Sequence, residues 1–389
     1  GTRIYFTFCS IIVSFHYCSN RFFAVTKNKL IAALFCICML FCLCSCTQDA
    51  APVTEEHKNT VSTETSAVKT ETPKDTTDYS EHSFAVHYID VGQGDAALVV
   101  CDDKTMLIDG GKPHASSIIY TYLKNLNIEY LDYIVASHAD DDHIGGLSAP
   151  LSKMKVGNVL APEAEADTRS YESLKSKTAE QGLTMTHPKP GETLDFGSSK
   201  IKFYGPITES ESDRNNGSIV MKIIYGDTSF LFTGDAECEE EQEILNAGYD
   251  LSATVLKVGH HGSKNSTTYP FLREIMPKYA VISVGKNSYG HPTEDTLSRL
   301  RDADVKVYRT DMQGDIIATS DGKSVTITTK KNESVQTNPT GNKKSISDEN
   351  TAGLAEQKTC EYIGNINTKK FHYPECSSVA QMEEKIKFI

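Results

Sequence analysis

Positive charge is what this sequence has too little of. Its 389 residues carry 39 Lys and Arg against 52 Asp and Glu, a formal net charge of -13. That balance excludes a whole-molecule electrostatic footprint for nucleic acid or an anionic membrane surface, so a polyanionic partner must be met by local cations. Evenly spread cysteine is missing too. Cys9, Cys18, Cys36, Cys38, Cys42, Cys44 and Cys46 crowd the first 46 residues, leaving Cys101, Cys238, Cys360 and Cys376 for the rest, which excludes a disulfide framework for the body. No internal repeat of fixed period runs through the chain, and the apolar run from Leu30 to Leu43 is short for a bilayer span.

That run belongs to a targeting segment, "KNKLIAALFCICMLFCLCSC", with a basic flank at Lys27 and Lys29. Its ending, Leu43-Cys44-Ser45-Cys46, resembles the lipobox of bacterial lipoproteins, whose final cysteine is lipidated and becomes the mature N-terminus. Cys46 is therefore the expected lipid attachment point, with an uncleaved anchor helix as the alternative. Either way the body is expected outside the cytoplasmic membrane, on its extracellular face or secreted. Residues 1 to about 24 begin with Gly rather than Met, read as upstream sequence and are left out of fold reasoning. After the targeting segment (1–46), residues 47–82 are rich in Thr, Glu and Lys and nearly free of large apolar side chains. They cannot bury enough surface to offset the entropy of ordering, which predicts a disordered tether with His57 simply solvated in it.

From 83 to 330 the pattern changes to short apolar strands closed by Gly or Asp: "FAVHYIDVG", "AALVV", "TMLIDGG", "LDYIVASH", "KIKFYGP", "SIVMKIIYGD", "SFLFTGD", "TVLKVGHHGS", "YAVISVG" and "VKVYRTD". Helical spacing appears in "SSIIYTYLKNLNI", with Ile118, Ile119, Tyr122 and Leu126 on one side, and again in "EEEQEILNAG" and "TEDTLSRLRDA". This predicts an α/β body of more than one sheet, with polar residues gathered at strand ends, where sites are usually built. Residues 331–359 read as a linker, and 360–389 as a compact terminal segment.

The densest chemistry is "ASHADDDHIGGL", where two imidazoles and three carboxylates fall within six residues after an apolar run. Adjacent aspartates repel one another, and a cation among them would relieve the repulsion. His138, Asp140, Asp142 and His143 offer nitrogen and oxygen ligands for a divalent ion, and Gly145-Gly146 permits a sharp turn or close backbone approach. An acidic helix cap is the bland alternative. It weakens when the other strand ends are added: Asp235 in "LFTGDA", His260 and His261 in "LKVGHHGS", and His291 in "YGHP".

Taken in order, "YIDVGQGDA", "LIDGG", "SHADDDHIGG", "NNGSIVM", "FLFTGDA", "LKVGHHGS" and "SVGKNSYGHP" resemble the metallo-β-lactamase superfamily, in the branch found in ComEC-type competence DNA-uptake proteins. The resemblance spans about residues 84 to 328. It implies a four-layer αββα sandwich, two mixed sheets flanked by helices, with a dinuclear metal site at one edge. His138 and Asp140 would serve one ion, Asp142 and His143 the second, Asp235 would bridge both, and His291 would add a ligand. His260 and His261 would flank the reacting group as catalytic residues, and Asp109 would brace the motif turns. Asp140 stands where the superfamily usually has a histidine. The histidine usual before the bridging aspartate is missing, with Asn216 and Ser218 in that region; His187 lies too far upstream and reads as a loop residue. More oxygen donors make the site harder, admitting Mn²⁺ or Mg²⁺ beside Zn²⁺.

The implied chemistry is metal-assisted hydrolysis suited to phosphodiesters, DNA above all, with no small-molecule organic cofactor. Lys257 and Lys264 could supply the local positive field, or be plain solubilising lysines. The last segment, "YIGNINTKKFHYPECSSVAQM", resembles the opening of the metal-binding module of the Ada DNA-repair protein, with His372 and Cys376 matching its first half. The chain ends before a second Cys pair, so the module is expected to be truncated. Two alternatives stay open: another substrate (a choline phosphodiester, a lactone or a lactam) and a non-catalytic surface binding module. The sequence is silent on oligomeric state.

Overall fold

The computed structural model describes residues 83–209 and 213–339, with the backbone of three short strands at Tyr362–Asn365, Lys370–His372 and Ile386–Phe388. Cys46 and the rest of the targeting segment, the 47–82 tether, most of the linker and the side chains of the Ada-like segment lie outside the described residues. Among the described residues no helix is long and apolar enough to cross a membrane.

The apolar runs form strands β1 (Phe84–Tyr88), β2 (Ala97–Cys101), β3 (Lys104–Ile108), β4 (Tyr130–Val135), β5 (Lys155–Leu160), β6 (Met185–Thr186), β7 (Thr193–Phe196), β8 (Ser199–Gly205), β9 (Val220–Tyr225), β10 (Thr228–Phe232), β11 (Val255–Lys257), β12 (Tyr279–Ile282), β13 (Lys306–Arg309), β14 (Ile316–Ser320) and β15 (Val325–Thr329). One sheet has the order β15-β14-β1-β2-β3-β4-β5-β6 and the other β13-β12-β11-β10-β9-β8-β7. Both are mixed. In the first, β1, β2 and β3 pair antiparallel and β3 to β6 parallel; in the second, β7 to β10 are antiparallel and β10 to β13 parallel.

Strand alternation decides which side chains meet. Phe84, Val86 and Tyr88 of β1, Val99 of β2, Met106 of β3 and Phe230 and Phe232 of β10 fill the space between the sheets. Phe84 closes that space with ring centroids 4.9 Å from both Tyr225 and Phe230. The opposite faces, Leu98, Leu107 and Ile134 on one sheet and Leu231, Leu256 and Ile282 on the other, carry helices. The first face is covered by α1 (Ser116–Asn125), α2 (Ser148–Lys153) and α3 (Arg169–Glu180), the second by α4 (Cys238–Ala247), α5 (Tyr269–Ile275) and α6 (Glu294–Asp302). The result is the four-layer αββα sandwich.

Two local expectations change. In α1 the buried stripe is Ile119 and Leu123, following Ala115 at the N-cap, while Ile118 and Leu126 stay exposed at 44% and 41%. The i, i+4 pair faces the sheet, Ile118 is rotated about 100° off that line, and Leu126 has already left the last turn. Residues 331–339, expected as linker, pack on the body: Thr337 is buried and donates to the Val307 carbonyl at 2.6 Å.

Helix α4 ties the site edge together. Glu241 accepts from the Thr267 amide and from the Thr268 amide and hydroxyl at 2.9 and 2.6 Å, and Glu240 accepts from the Ile207 amide at 2.9 Å. Burial pushes the Glu240 carboxyl up to about 8 from an ordinary 4.5. A carboxyl whose folded pKa is raised stabilises the native state fully below its unfolded pKa, and that contribution is lost as pH rises through the folded value. Glu240→Gln should therefore flatten the fall in melting temperature between about pH 5 and 9, removing on the order of 3 kcal/mol of pH-dependent stability. Thermal melts across that range check it, an unchanged slope counting against a buried, protonated Glu240.

Candidate metal centre

The turns that leave β1, β3, β4, β10, β11 and β12 meet at one edge of the sandwich. After β10 the chain passes Thr233 and Gly234 to Asp235, whose amide donates to Ser218 Oγ at 3.0 Å. Asn216 Oδ1 accepts from the Glu237 amide at 2.9 Å, just before α4 begins. Asn216 and Ser218 thus stand behind the Asp235 turn and hold its backbone. After β11, His260 and His261 both adopt left-handed backbone, φ 47° and 52°. Two consecutive non-glycine residues there are strained by roughly 1–2 kcal/mol each. The turn is fastened by His260 N to Gly234 O at 3.1 Å and Ser263 N to His260 O at 2.8 Å.

Four imidazoles are oriented the same way. His143 Nδ1 lies 2.9 Å from Asp109 Oδ2, His138 Nδ1 3.1 Å from Ser137 Oγ, His261 Nδ1 2.9 Å from the Ser283 carbonyl, and His260 Nδ1 2.9 Å from Glu237 Oε1. With Nδ1 engaged, each ring offers Nε2 to the interior. Nε2 of His143, His260 and His261 stand 3.1, 3.7 and 3.6 Å from the Asp235 carboxylate. A partner on Nδ1 that fixes the ring and its tautomer is the arrangement by which proteins prepare histidines for metal.

Asp109 shapes this edge without facing it: its two oxygens accept from the Ser137 amide at 2.8 Å and hydroxyl at 2.7 Å. The Nε2 atoms of His138, His143 and His261 are buried with no hydrogen-bond partner, as is Nδ1 of His291. Orphaned buried nitrogens cost free energy unless something meets them. Asp95, His143, Asp235 and His261, all buried, bring one donor atom each within 4.8 Å of the others. Two carboxylates and two imidazoles suit a divalent ion, so the residues present fit a metal.

Electrostatics points the same way. Burial would raise Asp235, but the surrounding His143, His261 and His260 hold it well below the usual carboxylate range. Burial would lower His143, yet Asp235 and Asp109 raise it. His138 is lowered to about 4 by burial and then by the His143 charge, so it is neutral and its lone pair is available. His291 is likewise lowered to about 4, by burial and then by His260 and His261.

Asp95 is the member of this buried cluster that the sequence analysis leaves unnamed. It lies in "DVGQGDA", and the signal was the one used elsewhere, a polar residue after an apolar strand with glycines at the turn. Gly94 at φ 144° allows the approach, since a Cβ there would stand 2.4 Å from the Asp142 carbonyl oxygen. One Asp95 oxygen lies 2.7 Å from Lys257 Nζ and the other 3.1 Å from His261 Nδ1. Burial opposes ionisation, but Lys257 and then His261 bring Asp95 down to about 2. Lys257 is itself buried at 3% exposure, so its charge neutralises the interior of the cage and does not reach outward to a substrate. Asp95→Ala should strand that ammonium and cost about 3–5 kcal/mol. Adding Lys257→Met should restore most of the stability without restoring ion retention; denaturant titration and elemental analysis read the two effects separately.

The remaining expected residues sit around this cage. Asp142 Oδ2 is 3.7 Å from His261 Nε2, and the His291 ring is 5.3 Å from the His260 ring. Asp140 Oδ2 is 3.9 Å from His138 Nε2, while its other oxygen takes Arg214 Nε at 2.6 Å, a partner no local motif announces. His261, expected beside the reacting group, lies within the four-residue cage itself. His187 stands apart, its Nδ1 3.0 Å from the Ala161 carbonyl.

Fold and cage together define a class, the metal-dependent hydrolases built on this sandwich. The chain belongs to the metallo-beta-lactamase superfamily, whose family model matches residues 89–286, just over half of the sequence. Among curated relatives it is similar to ComE operon protein 3 of Bacillus subtilis, 34% identical over 250 residues that cover 59% of this chain and 32% of the relative. It is similar as well to competence protein ComA of Neisseria gonorrhoeae, 34% identical over 237 residues, 60% of this chain and 32% of the relative. The chain thus spans about a third of the length of these relatives. A solved structure, the metallo-beta-lactamase fold protein YhfI of Bacillus subtilis, covers 61% of this chain and all of its own at 13% identity and a TM-score of 0.44.

Proposed function

We propose that this protein is a surface-anchored phosphodiesterase that hydrolyses extracellular DNA at a centre holding two divalent ions. The observation that carries the reading is the wiring of His138, His143, His260 and His261, with Nδ1 engaged on each and three of the four Nε2 atoms within 3.7 Å of Asp235. Asp95, His143, Asp235 and His261 would hold one ion. His138, Asp140, Asp142 and His291, which border the cage, would complete the second position. Ions so bound lower the pKa of water and draw off charge from a phosphoryl group. The oxygen-rich donor set favours Mn²⁺ or Mg²⁺ alongside Zn²⁺. His260, half-buried with Nδ1 on Glu237, is the imidazole best placed to hold a proton for the leaving oxygen. The competence names of two relatives support DNA as the substrate. The resemblance of Leu43-Cys44-Ser45-Cys46 to a lipobox supports an anchor on the outer face of the membrane, and the resemblance of the last segment to the Ada module a DNA-related role.

The test strips the full chain with chelator and refills it separately with Mn²⁺, Mg²⁺ or Zn²⁺. Nucleotide release from plasmid and single-stranded DNA should return with at least one ion, at two ions per chain by elemental analysis. Turnover of nitrocefin or a choline phosphodiester without DNA cleavage would replace this substrate by another.

A further inference from the structure

Tyr289 stands at the rim of the cage with its side chain 62% exposed. Of the large hydrophobic side chains exposed among the described residues, only Met276, at 74%, is more open. Its position is not slack. Asn287 Oδ1 accepts from the amides of Tyr289 and His291, both at 3.1 Å, and Asn287 Nδ2 donates to the carbonyls of Gly285 at 2.9 Å and His291 at 2.8 Å. One side chain thus clamps the turn from both sides. The Tyr289 ring lies 5.7 Å from the His291 ring at 34°, the His291 ring 5.3 Å from that of His260, and His260 Nε2 3.7 Å from Asp235. The aromatic face is therefore joined to the centre through two imidazoles.

At 62% exposure the ring leaves most of its surface in water, and a planar ligand laid on it would remove that apolar surface from water. Lys286, three residues earlier in the same turn, is exposed as well, so the segment that carries the ring also carries a cation. Aromatic and basic side chains sharing one segment bind single-stranded nucleic acid, the base stacking on the ring and the backbone meeting the cation. With a net charge of -13, the molecule has little general attraction for a polyanion, so stacking at the centre carries more of the binding.

We infer that Tyr289 is a base-stacking platform that seats one nucleobase beside the metal centre and directs the enzyme to single-stranded nucleic acid. This rests on the phosphodiesterase reading and names its substrate class more closely. The experiment measures binding of a fluorescently labelled oligothymidylate to the full chain in EDTA, where turnover is absent, by anisotropy. Tyr289→Ala should weaken binding about tenfold and Tyr289→Phe should retain it. An oligonucleotide with one abasic position in each register should bind the parent more weakly and be indifferent to Tyr289→Ala. Alanine binding as tightly as the parent, or phenylalanine losing as much as alanine, overturns the inference. Because no ion is needed for the readout, it stands or falls separately from DNA cleavage, whose absence in the refilled enzyme would instead overturn the proposed function.

Discussion

Asp235→Ala is expected to abolish ion retention and to lower hydrolysis by on the order of 10³-fold or more. Nε2 atoms of His143, His260 and His261 all lie within 3.7 Å of this carboxylate, so no other side chain in the cage has as many donors directed at it. Its removal leaves a buried His143 whose raised pKa depends first on that charge once burial is set aside, and the ring then keeps Asp109 on Nδ1, with Asp95 the other carboxylate of the cage. Asp235→Asn keeps the volume and the Ser218 bond to the backbone, yet removes the charge, so it should lose ions almost as fully while folding normally. Elemental analysis after gel filtration, with circular dichroism as the folding control, separates the two variants. Parent-like ion content in both would show that the histidines converge on Asp235 for a structural reason only.

The second large effect is on stability. A Cβ at Gly146 would stand 1.9 Å from the Gly110 carbonyl oxygen, a backbone atom that cannot step aside as a side chain can. Gly146 N also donates to Gly111 O at 2.8 Å, which locks the turn after β3 to the turn after β4. Gly146→Ala must break that contact or move both turns, and should cost more than about 3 kcal/mol. The two turns carry Asp109 and the His138-to-His143 motif, so ion affinity should fall with it. Gly182→Ala is the contrast, because a Cβ there meets nothing within 4 Å; only the strain of its φ of 74° is felt. Denaturant unfolding of both variants checks the difference, and equal losses would mean that the contact between the turns is not what Gly146 provides.

Much of this was legible in the chain. Period-two runs such as "FAVHY" and "SFLFT" disclose strands because one face of each must be buried, and Phe84, Val86, Phe230 and Phe232 do fill the space between the sheets. The crowding of like charge in "HADDDH" pointed to compensation of some kind, and the fold supplies Arg214 to Asp140 at 2.6 Å while His143 of the same motif joins the buried cluster. Less legible was α1, where the apolar positions allow two stripes and only the sheet beneath selects Ile119 and Leu123 over Ile118 and Leu126. Lys257 misleads as a local signal, since a lysine after an apolar run looks exposed until a buried Asp95 is found 2.7 Å away.

By itself the sequence determined the alternation of elements, the glycines where backbones must touch, and the kinds of donor atom delivered at strand ends. Those follow from local sterics and from the burial pattern of each segment. Only the tertiary structure decided which donors share a point: that Asp95 joins His143, Asp235 and His261, that Asp140 divides itself between His138 and Arg214, and that His260 and His261 turn through left-handed backbone to face inward. The reason is distance along the chain. Asp95 and His261 meet because β1 and β11 lie in different sheets whose packing brings their outgoing turns together, and no property of either segment alone encodes that separation.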